Sequence, residues 1–233
     1  DNSPLYSIGI QGGTNLSMVH IAEPYGVYDL SEYQGDYKSA PGFQFGGLFN
    51  FFLSQKLELC IDPMFAYRRF NYELTPFPFT QLEYKEMQGK LDIPVSAIYS
   101  LTNDQISPYL RGGLQTSFLF SAKAESIRSY GNTGGIEFDD IISEQMNISN
   151  RRIPFNVGAF LGGGVRYELP KAYFFADLRY NIGLTRQVNS TSRRNANDDQ
   201  IWMFYHIQDD FFMHDLSFTI GYAQNFFKPR RKF

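Results

Sequence analysis

The feature that most constrains this chain is a two-residue alternation, in which every second side chain is apolar or aromatic over about ten residues at a time. In one such segment Phe43, Phe45, Phe49 and Phe51 alternate with mostly polar or small residues. Successive side chains of a strand point to opposite faces, so this period predicts β-strands with one apolar face each. The predicted strands lie near residues 5–11, 43–51, 57–67, 91–99, 110–120, 155–167, 174–184 and 214–227.

The connections between these strands alternate strictly between short and long. The short ones lie near residues 53–55, 102–107 and 169–172, and the long ones near 16–40, 70–86, 122–152 and 187–212. Barrels of the bacterial outer membrane have short periplasmic turns and long outer loops. The pattern therefore predicts an all-β fold: a transmembrane antiparallel up-and-down β-barrel of about eight strands, with both termini in the periplasm. We expect residues 1–233 to form one domain, with 228–233 as a basic tail.

The second face of the predicted strands carries charges among small residues. A soluble barrel around a ligand would place its apolar side chains inward and its charged side chains outward. In the barrel predicted here the apolar face points outward and the charged face points inward. Eight strands leave an interior just wide enough for side chains, and buried charges require partners or water. Because acids and bases nearly balance, we predict a lumen filled by ion pairs, with no open channel. The residues of this predicted network are Glu58, Asp62, Arg68, Lys90, Asp92, Arg111, Arg166, Asp177 and Arg179.

Composition supports a lipid-facing β structure and excludes several function classes. Aromatic residues make up 17% of the chain and charged residues only 19%. The net charge of -3 provides no basic field for nucleic acid, so we expect no nucleic-acid partner. The single cysteine, Cys60, rules out an intrachain disulfide and a cysteine metal cluster. Aromatic residues near the strand ends predict two interfacial girdles, formed by Tyr67, Phe70, Tyr72, Tyr99, Tyr109, Tyr167, Tyr173 and Phe226.

Four short motifs resemble those of a known family. They are the opening Gly9–Asn15, the strand Leu91–Val95, the strand start Pro108–Gly113, and the final Gly221–Tyr222. In these motifs the chain resembles the PorT-like outer-membrane barrel domain of Bacteroidetes. The resemblance implies an eight-stranded barrel in the outer membrane with both ends in the periplasm, and no catalytic residues. Members of the family include a component linked to type IX secretion, and small barrels of this kind can be accessory subunits of larger assemblies.

Basic residues outside the predicted strands indicate two kinds of partner. The tail residues Lys228, Arg230, Arg231 and Lys232 could contact a periplasmic protein or anionic headgroups, although a flexible terminus explains them equally well. Arg151–Arg152 and Arg193–Arg194, in the outer loops, could contact lipopolysaccharide phosphates, although solvated loop charge is the simpler interpretation. We therefore expect outer-membrane lipid, lipopolysaccharide and protein partners.

The sequence leaves three functional hypotheses. The first is a non-enzymatic accessory subunit of an assembly for protein secretion or outer-membrane protein biogenesis. The second is a stand-alone barrel that binds ligands or transports small solutes through its outer loops. The third, a lipid hydrolase or acyltransferase, depends only on His20, His206 and His214, since no nucleophile motif accompanies them. Asp209 and Asp210 with the last two histidines could also bind a cation, but no known ligand spacing occurs. We predict no catalytic, metal or cofactor site.

Overall fold

The computed structural model describes residues 4–25, 35–77, 80–131, 139–192, 203–204 and 206–227. Two short 3-10 helices lie at Ser149–Arg151 and Ser190–Ser192. Among the described residues no helix is long and apolar enough to cross a membrane. The strands are β1 (Pro4–Glu23), β2 (Asp36–Phe52), β3 (Leu57–Ile61), β4 (Met64–Phe77), β5 (Thr80–Ser100), β6 (Ile106–Tyr130), β7 (Ile141–Ile142), β8 (Met146–Asn147), β9 (Phe155–Glu168), β10 (Ala172–Gly183) and β11 (Asp210–Phe227).

The sheet closes on itself as an antiparallel ring. β1 pairs with β2 on one side and with β11 on the other, and the ring continues through β10, β9, β6 and β5. β3 and β4 together occupy one position between β2 and β5, so the ring has eight strands. The predicted eight-stranded antiparallel barrel is thereby confirmed.

The predicted strand 57–67 is interrupted where β3 gives way to β4. Pro63 lacks a backbone N–H and cannot donate to the ladder. The ladder nevertheless continues across the break, because the Asp62 amide donates to the Pro94 carbonyl at 3.2 Å and the Pro63 carbonyl accepts from Gly47 N–H at 3.1 Å. The interruption therefore leaves the barrel wall closed.

The outward side chains of the barrel form an apolar belt. Ile10, Leu161 and Ile220 expose 70%, 74% and 59% of their surface, as lipid-facing side chains must. At one end the belt stops at the short turns 53–56, 101–105 and 169–171. At the other end the last large apolar or aromatic outward side chains of the belt are Leu16, Phe43, Tyr67, Phe120, Phe155, Leu184 and Leu216.

Several strands run far beyond this belt, and the predicted long connections are partly wrong. Residues 70–77 and 80–86 continue β4 and β5, β1 extends to Glu23, β6 extends to Tyr130, and β11 begins at Asp210. Beyond the belt the outward side chains are mostly polar, so the alternation that marked the strands disappears from the sequence. The inward side chains still bury a core, and this core keeps the strands paired.

That core, which we call the outer cap, closes the barrel beyond the belt. Phe70 and Phe211 pack edge to face with ring centroids 5.4 Å apart, and the Tyr37 ring lies 5.9 Å from that of Phe70. Phe70 is therefore in the core and not in an interfacial girdle, and Tyr109 and Tyr173 are likewise buried in the lumen, which corrects the prediction for all three. The buried cap residues are Phe70, Tyr84, Ala122, Ala124, Ile148, Val188, Phe211 and Met213.

Candidate functional site

The lumen is filled by polar layers, and the layer nearest the short turns is built on Arg166. Its guanidinium makes two hydrogen bonds to the Glu58 carboxylate, one of them at 2.8 Å. The same guanidinium lies 4.5 Å from the ring centroid of Tyr173 and 5.1 Å from that of Tyr109. Asn50 donates to the Tyr173 hydroxyl at 2.6 Å. A cation, its carboxylate and two aromatic faces thus close the lumen at this level.

The middle layer is a ring of two carboxylates and two guanidinium groups. Arg111 contacts Asp62 at 3.2 Å and Asp177 at 2.7 Å, while Arg179 contacts the same two carboxylates at 2.6 and 3.2 Å. Gln11 also donates to Asp62, at 3.1 Å. Each charge therefore has two partners of opposite sign, which is the arrangement that makes burial of four charges tolerable. We call these four residues the middle ring.

The third layer contains Arg68 between two carboxylates. Arg68 contacts Asp92 at 2.6 Å and Asp215 at 2.8 Å. Lys90 makes no ion pair with the residues that the structure describes, but its amine donates to amide oxygens of Asn156 at 3.1 Å and Gln187 at 2.7 Å. Here one guanidinium pairs with two carboxylates, and the Lys90 amine lies on the same strand as Asp92.

A fourth layer lies beyond the belt, beneath the outer cap. Arg152 Nε donates to Glu86 at 2.7 Å, and a second hydrogen bond joins the two groups. Arg152 also donates to Gln208 at 2.6 Å, and the Tyr84 hydroxyl donates to Glu86 at 2.8 Å. Burial alone would raise the pKa of the Glu86 carboxyl, but the Arg152 charge and these hydrogen bonds hold it below its ordinary value.

All nine residues of the predicted network are buried inside the barrel, none with more than 5% of its surface exposed. Eight of them form ion pairs with each other or with Asp215, and Lys90 is the exception. The sequence analysis missed Asp215, Glu86 and Arg152. Asp215 was detectable, because it precedes the outward Leu216 and therefore faces inward.

The structure leaves little free space among these layers. Where Asp62, Arg111 and Tyr173 meet, the remaining cavity measures about 10 Å³, the room of about one water molecule. At the short-turn end an open vestibule of about 450 Å³ leads only as far as Glu58 and Arg166. The described part of the barrel therefore has no continuous passage.

Most of the basic residues that were predicted to contact partners are outside the described part of the chain. Lys228, Arg230, Arg231 and Lys232 fall outside the described residues, as do Arg193 and Arg194. Arg152 is buried against Glu86 and cannot reach a lipid phosphate, so the predicted contact with lipopolysaccharide is wrong for this residue.

The three histidines occupy two different surroundings. His206 stacks on Tyr84 with ring centroids 4.2 Å apart inside the outer cap, whereas His20 and His214 are 5.7 Å apart on β1 and β11. Asp209 accepts hydrogen bonds from the Tyr25 amide at 2.6 Å and the Tyr37 hydroxyl at 2.9 Å. Among described residues no group of three histidine, cysteine or acidic side chains is placed to hold a metal ion.

On the described lipid-facing wall a shallow, open groove of about 770 Å³ crosses β9, β10, β11 and β1. Small outward residues, Gly12 and Ala176, form its floor. We call it the lateral groove. Its other outward lining residues are Ile10, Val165, Tyr167, Phe174, Ile220 and Tyr222.

Comparison with solved structures finds similar chains at low sequence identity. Among solved structures, the chain is similar to neisserial surface protein A, with 17% identity over 94% of this chain and 97% of that one, at a TM-score of 0.42. For OprG of Pseudomonas aeruginosa the identity is 12%, the coverage 96% and 97%, and the TM-score 0.49. For the protease OmpT of Escherichia coli the identity is 11% over 97% of this chain and 98% of that one, at a TM-score of 0.47. No curated protein matches the chain.

The family comparison covers most of the sequence. The model of the outer membrane protein beta-barrel domain matches residues 2–188. Together with the closed eight-stranded ring and its apolar belt, this match identifies a barrel of the bacterial outer membrane. The chain therefore belongs to the outer membrane protein beta-barrel domain family.

Proposed function

We propose that this barrel is a non-enzymatic accessory subunit of a larger outer-membrane assembly, in protein secretion or outer-membrane protein biogenesis. We further propose that it belongs to the PorT-like group of Bacteroidetes that its motifs resemble. The observation that carries the proposal is the closed lumen, which four successive polar layers fill. A barrel without a passage acts through its surfaces, so its partners bind at the wall or at the two rims.

The proposal includes an orientation. Short turns of such barrels face the periplasm, so the turns 53–56, 101–105 and 169–171 and both ends of the chain would lie there, with the outer cap outside the cell. Lys228, Arg230, Arg231 and Lys232 follow β11 directly and would meet a periplasmic partner on that side.

The lateral groove is the place where a partner in the membrane would pack. Lipid tails are as apolar as leucine, so association within a bilayer depends on close packing, which small residues permit. At Gly12 a Cβ atom would lie no closer than 3.6 Å to its nearest neighbours, so a larger outward side chain fits there without strain. Filling the groove therefore tests binding without disturbing the barrel.

The test is a gentle-detergent affinity purification from the native outer membrane, with mass spectrometry of proteins recovered in stoichiometric amount. We expect Gly12→Phe to reduce recovery of the partner by about tenfold, the equivalent of about 1.4 kcal/mol. Ala97→Phe, on the exposed face of β5 away from the groove, is the matched control and should retain the partner.

Two results would contradict the proposal. A wild-type barrel that always purifies alone would favour the second hypothesis, a stand-alone barrel acting through its outer loops. Stepwise currents across planar bilayers containing the wild-type protein would show a passage that the filled lumen does not provide.

A further inference from the structure

We infer that the outer wall formed by β4, β5 and β6 carries a binding site for the phosphorylated headgroup of lipopolysaccharide, built on Arg69 and Lys123. This site goes beyond the proposed function, because its ligand is a lipid of the outer leaflet and not a protein partner. It rests on the proposed orientation, which places the outer cap on the cell surface.

Arg69 and Lys123 occupy equivalent positions at the edge of the apolar belt. On β4 Arg69 is the first outward side chain after Tyr67, and on β6 Lys123 is the first charged outward side chain after Phe120. Both side chains are exposed. The register pairs Arg69 with Met87 and Met87 with Lys123, so the two cations stand two strands apart, about 10 Å.

Within the described part of the chain these two cations have no acidic partner. Neither side chain forms an ion pair with any residue in the described ranges. The outward cations one step further from the belt are different, since Lys38 contacts Glu73 at 2.5 Å and Lys85 contacts Glu83 at 3.1 Å. Unneutralised positive charge is thus concentrated in the row directly next to the belt.

An aromatic surface lies directly beneath this row. The Phe43 and Tyr67 rings stack with centroids 4.6 Å apart, and Phe120 meets Tyr67 edge to face at 6.1 Å. Phe120 lies over Gly89, where an added Cβ would come within 2.6 Å of its ring. The surface is therefore continuous and apolar, as acyl chains below a charged headgroup require.

The opposite side of the barrel lacks this arrangement. At the matching edge of the belt β1 and β11 carry Met18, His20 and His214 after Leu16 and Leu216. Among the described outward residues of that edge there is no lysine or arginine. The cationic row is consequently a feature of one sector of the wall and not of the whole rim.

The chemistry of the ligand can be inferred from the two positive charges, their position at the edge of the belt and the aromatic surface beneath them. Guanidinium binds phosphate through paired hydrogen bonds, and ammonium binds it as a point charge. Two cations about 10 Å apart above an apolar wall match an amphiphile with more than one phosphate and several acyl chains. In the outer leaflet, lipopolysaccharide has this chemistry. Lys38 and Lys85 in the next row already contact Glu73 and Glu83, which leaves the phosphate groups to Arg69 and Lys123.

The test measures lipopolysaccharide bound per barrel after reconstitution into vesicles, gentle re-extraction and native mass spectrometry. Arg69→Gln with Lys123→Gln should retain about tenfold less lipid than wild type, because both charge-assisted contacts are lost. The matched control is Lys56→Gln with Lys171→Gln, which removes the same charge from exposed positions in the short turns and should retain as much lipid as wild type. Heat-dependent gel mobility checks that every variant is folded.

Two further arms identify the source of the phosphate. Vesicles of dephosphorylated lipopolysaccharide should load wild type no better than the double variant, and inorganic phosphate should not compete. Equal retention by wild type and the Arg69/Lys123 variant would overturn the inference, as would full retention of the dephosphorylated lipid or displacement by inorganic phosphate. None of these results depends on a protein partner, so this inference and the proposed function fail separately.

Discussion

The interior of this barrel is closed in two different ways, by charges inside the apolar belt and by aromatic packing in the outer cap. Inside the belt the middle ring joins Asp62, Asp177, Arg111 and Arg179, whereas in the cap Phe70 packs against Phe211. The difference follows from what surrounds each region. Apolar side chains gain free energy by leaving water, and the cap is bathed in water while the belt is bathed in lipid.

Within the belt the outward side chains are apolar and face lipid, so the inward side chains stabilise the barrel through ion pairs and hydrogen bonds. Beyond the belt the outward side chains are mostly polar, and the inward side chains form an ordinary hydrophobic core. The same strands are thus stabilised by ion pairs and hydrogen bonds inside the belt and by hydrophobic packing beyond it.

The largest expected effect comes from breaking the middle ring. Arg111→Ala removes one cation and leaves Asp62 and Asp177 with a single guanidinium between them. We expect a loss of about 3 to 5 kcal/mol in the free energy of unfolding, because an uncompensated buried charge remains. Urea titration of the barrel in lipid vesicles, followed by gel mobility, measures it.

The control for that experiment removes charges of both signs. The double variant Arg111→Met with Asp177→Asn keeps the net charge of the lumen unchanged and should cost clearly less than Arg111→Ala alone. If both variants cost the same, packing and not charge balance would hold the lumen together.

A smaller and more local effect is expected in the cap. Phe211→Ala leaves a cavity beside Phe70 and Tyr37, at a cost of about 3 kcal/mol. Because the cap is stabilised separately, hydrogen exchange should accelerate in residues 70–77 and 80–86 while the strands inside the belt remain protected. Equal acceleration in both regions would mean that cap and lumen unfold as one unit. Phe212→Ala, at the neighbouring position on β11, is the control.

The smallest expected effect is a dependence of the cap on pH. The pKa of Glu86 is lower in the folded chain than its ordinary value, so its ion pair with Arg152 stabilises the cap at pH values above the ordinary carboxyl range. This stabilisation is lost as the pH falls from the ordinary carboxyl range through the lowered pKa of Glu86 and the carboxylate becomes protonated. Hydrogen exchange in the cap should therefore accelerate in acid.

Glu86→Gln distinguishes this ion pair from other acid effects. In this variant cap exchange should already be faster at neutral pH and should change less between pH 7 and the acid range. A variant that keeps the full acid response of wild type would contradict the assignment to Glu86.

Much of the lumen could be predicted because strand parity decides which side a residue faces. Arg111 and Arg179 lie between outward apolar neighbours, so their inward direction followed from the sequence. The same parity points Tyr109 and Tyr173 inward, and the girdle prediction failed for them because it weighed residue type above position. The position of a residue along a strand decides whether its side chain points inward or outward, for aromatic and charged residues alike.

The cap could not be predicted in this way. The pair of Glu86 and Arg152 joins segments 66 residues apart in which outward apolar residues no longer mark the strands. The alternation of apolar and polar residues arises where the outward side chains face lipid. Beyond the lipid no physical requirement maintains this alternation. Which distant residues meet across the cap depends on the closed ring and not on any local pattern.

The middle ring also bears on how such a barrel is made. Asp62 follows β3, Arg111 lies on β6, and Asp177 and Arg179 lie on β10, so the partners are separated by up to 117 residues. Before β10 joins the sheet, Asp62 lacks its contact with Arg179 and Arg111 lacks its contact with Asp177, so each of these charges has only one of its two partners of opposite sign. The full stabilisation by the middle ring is therefore present only in the closed barrel and not in a sheet that still lacks β10.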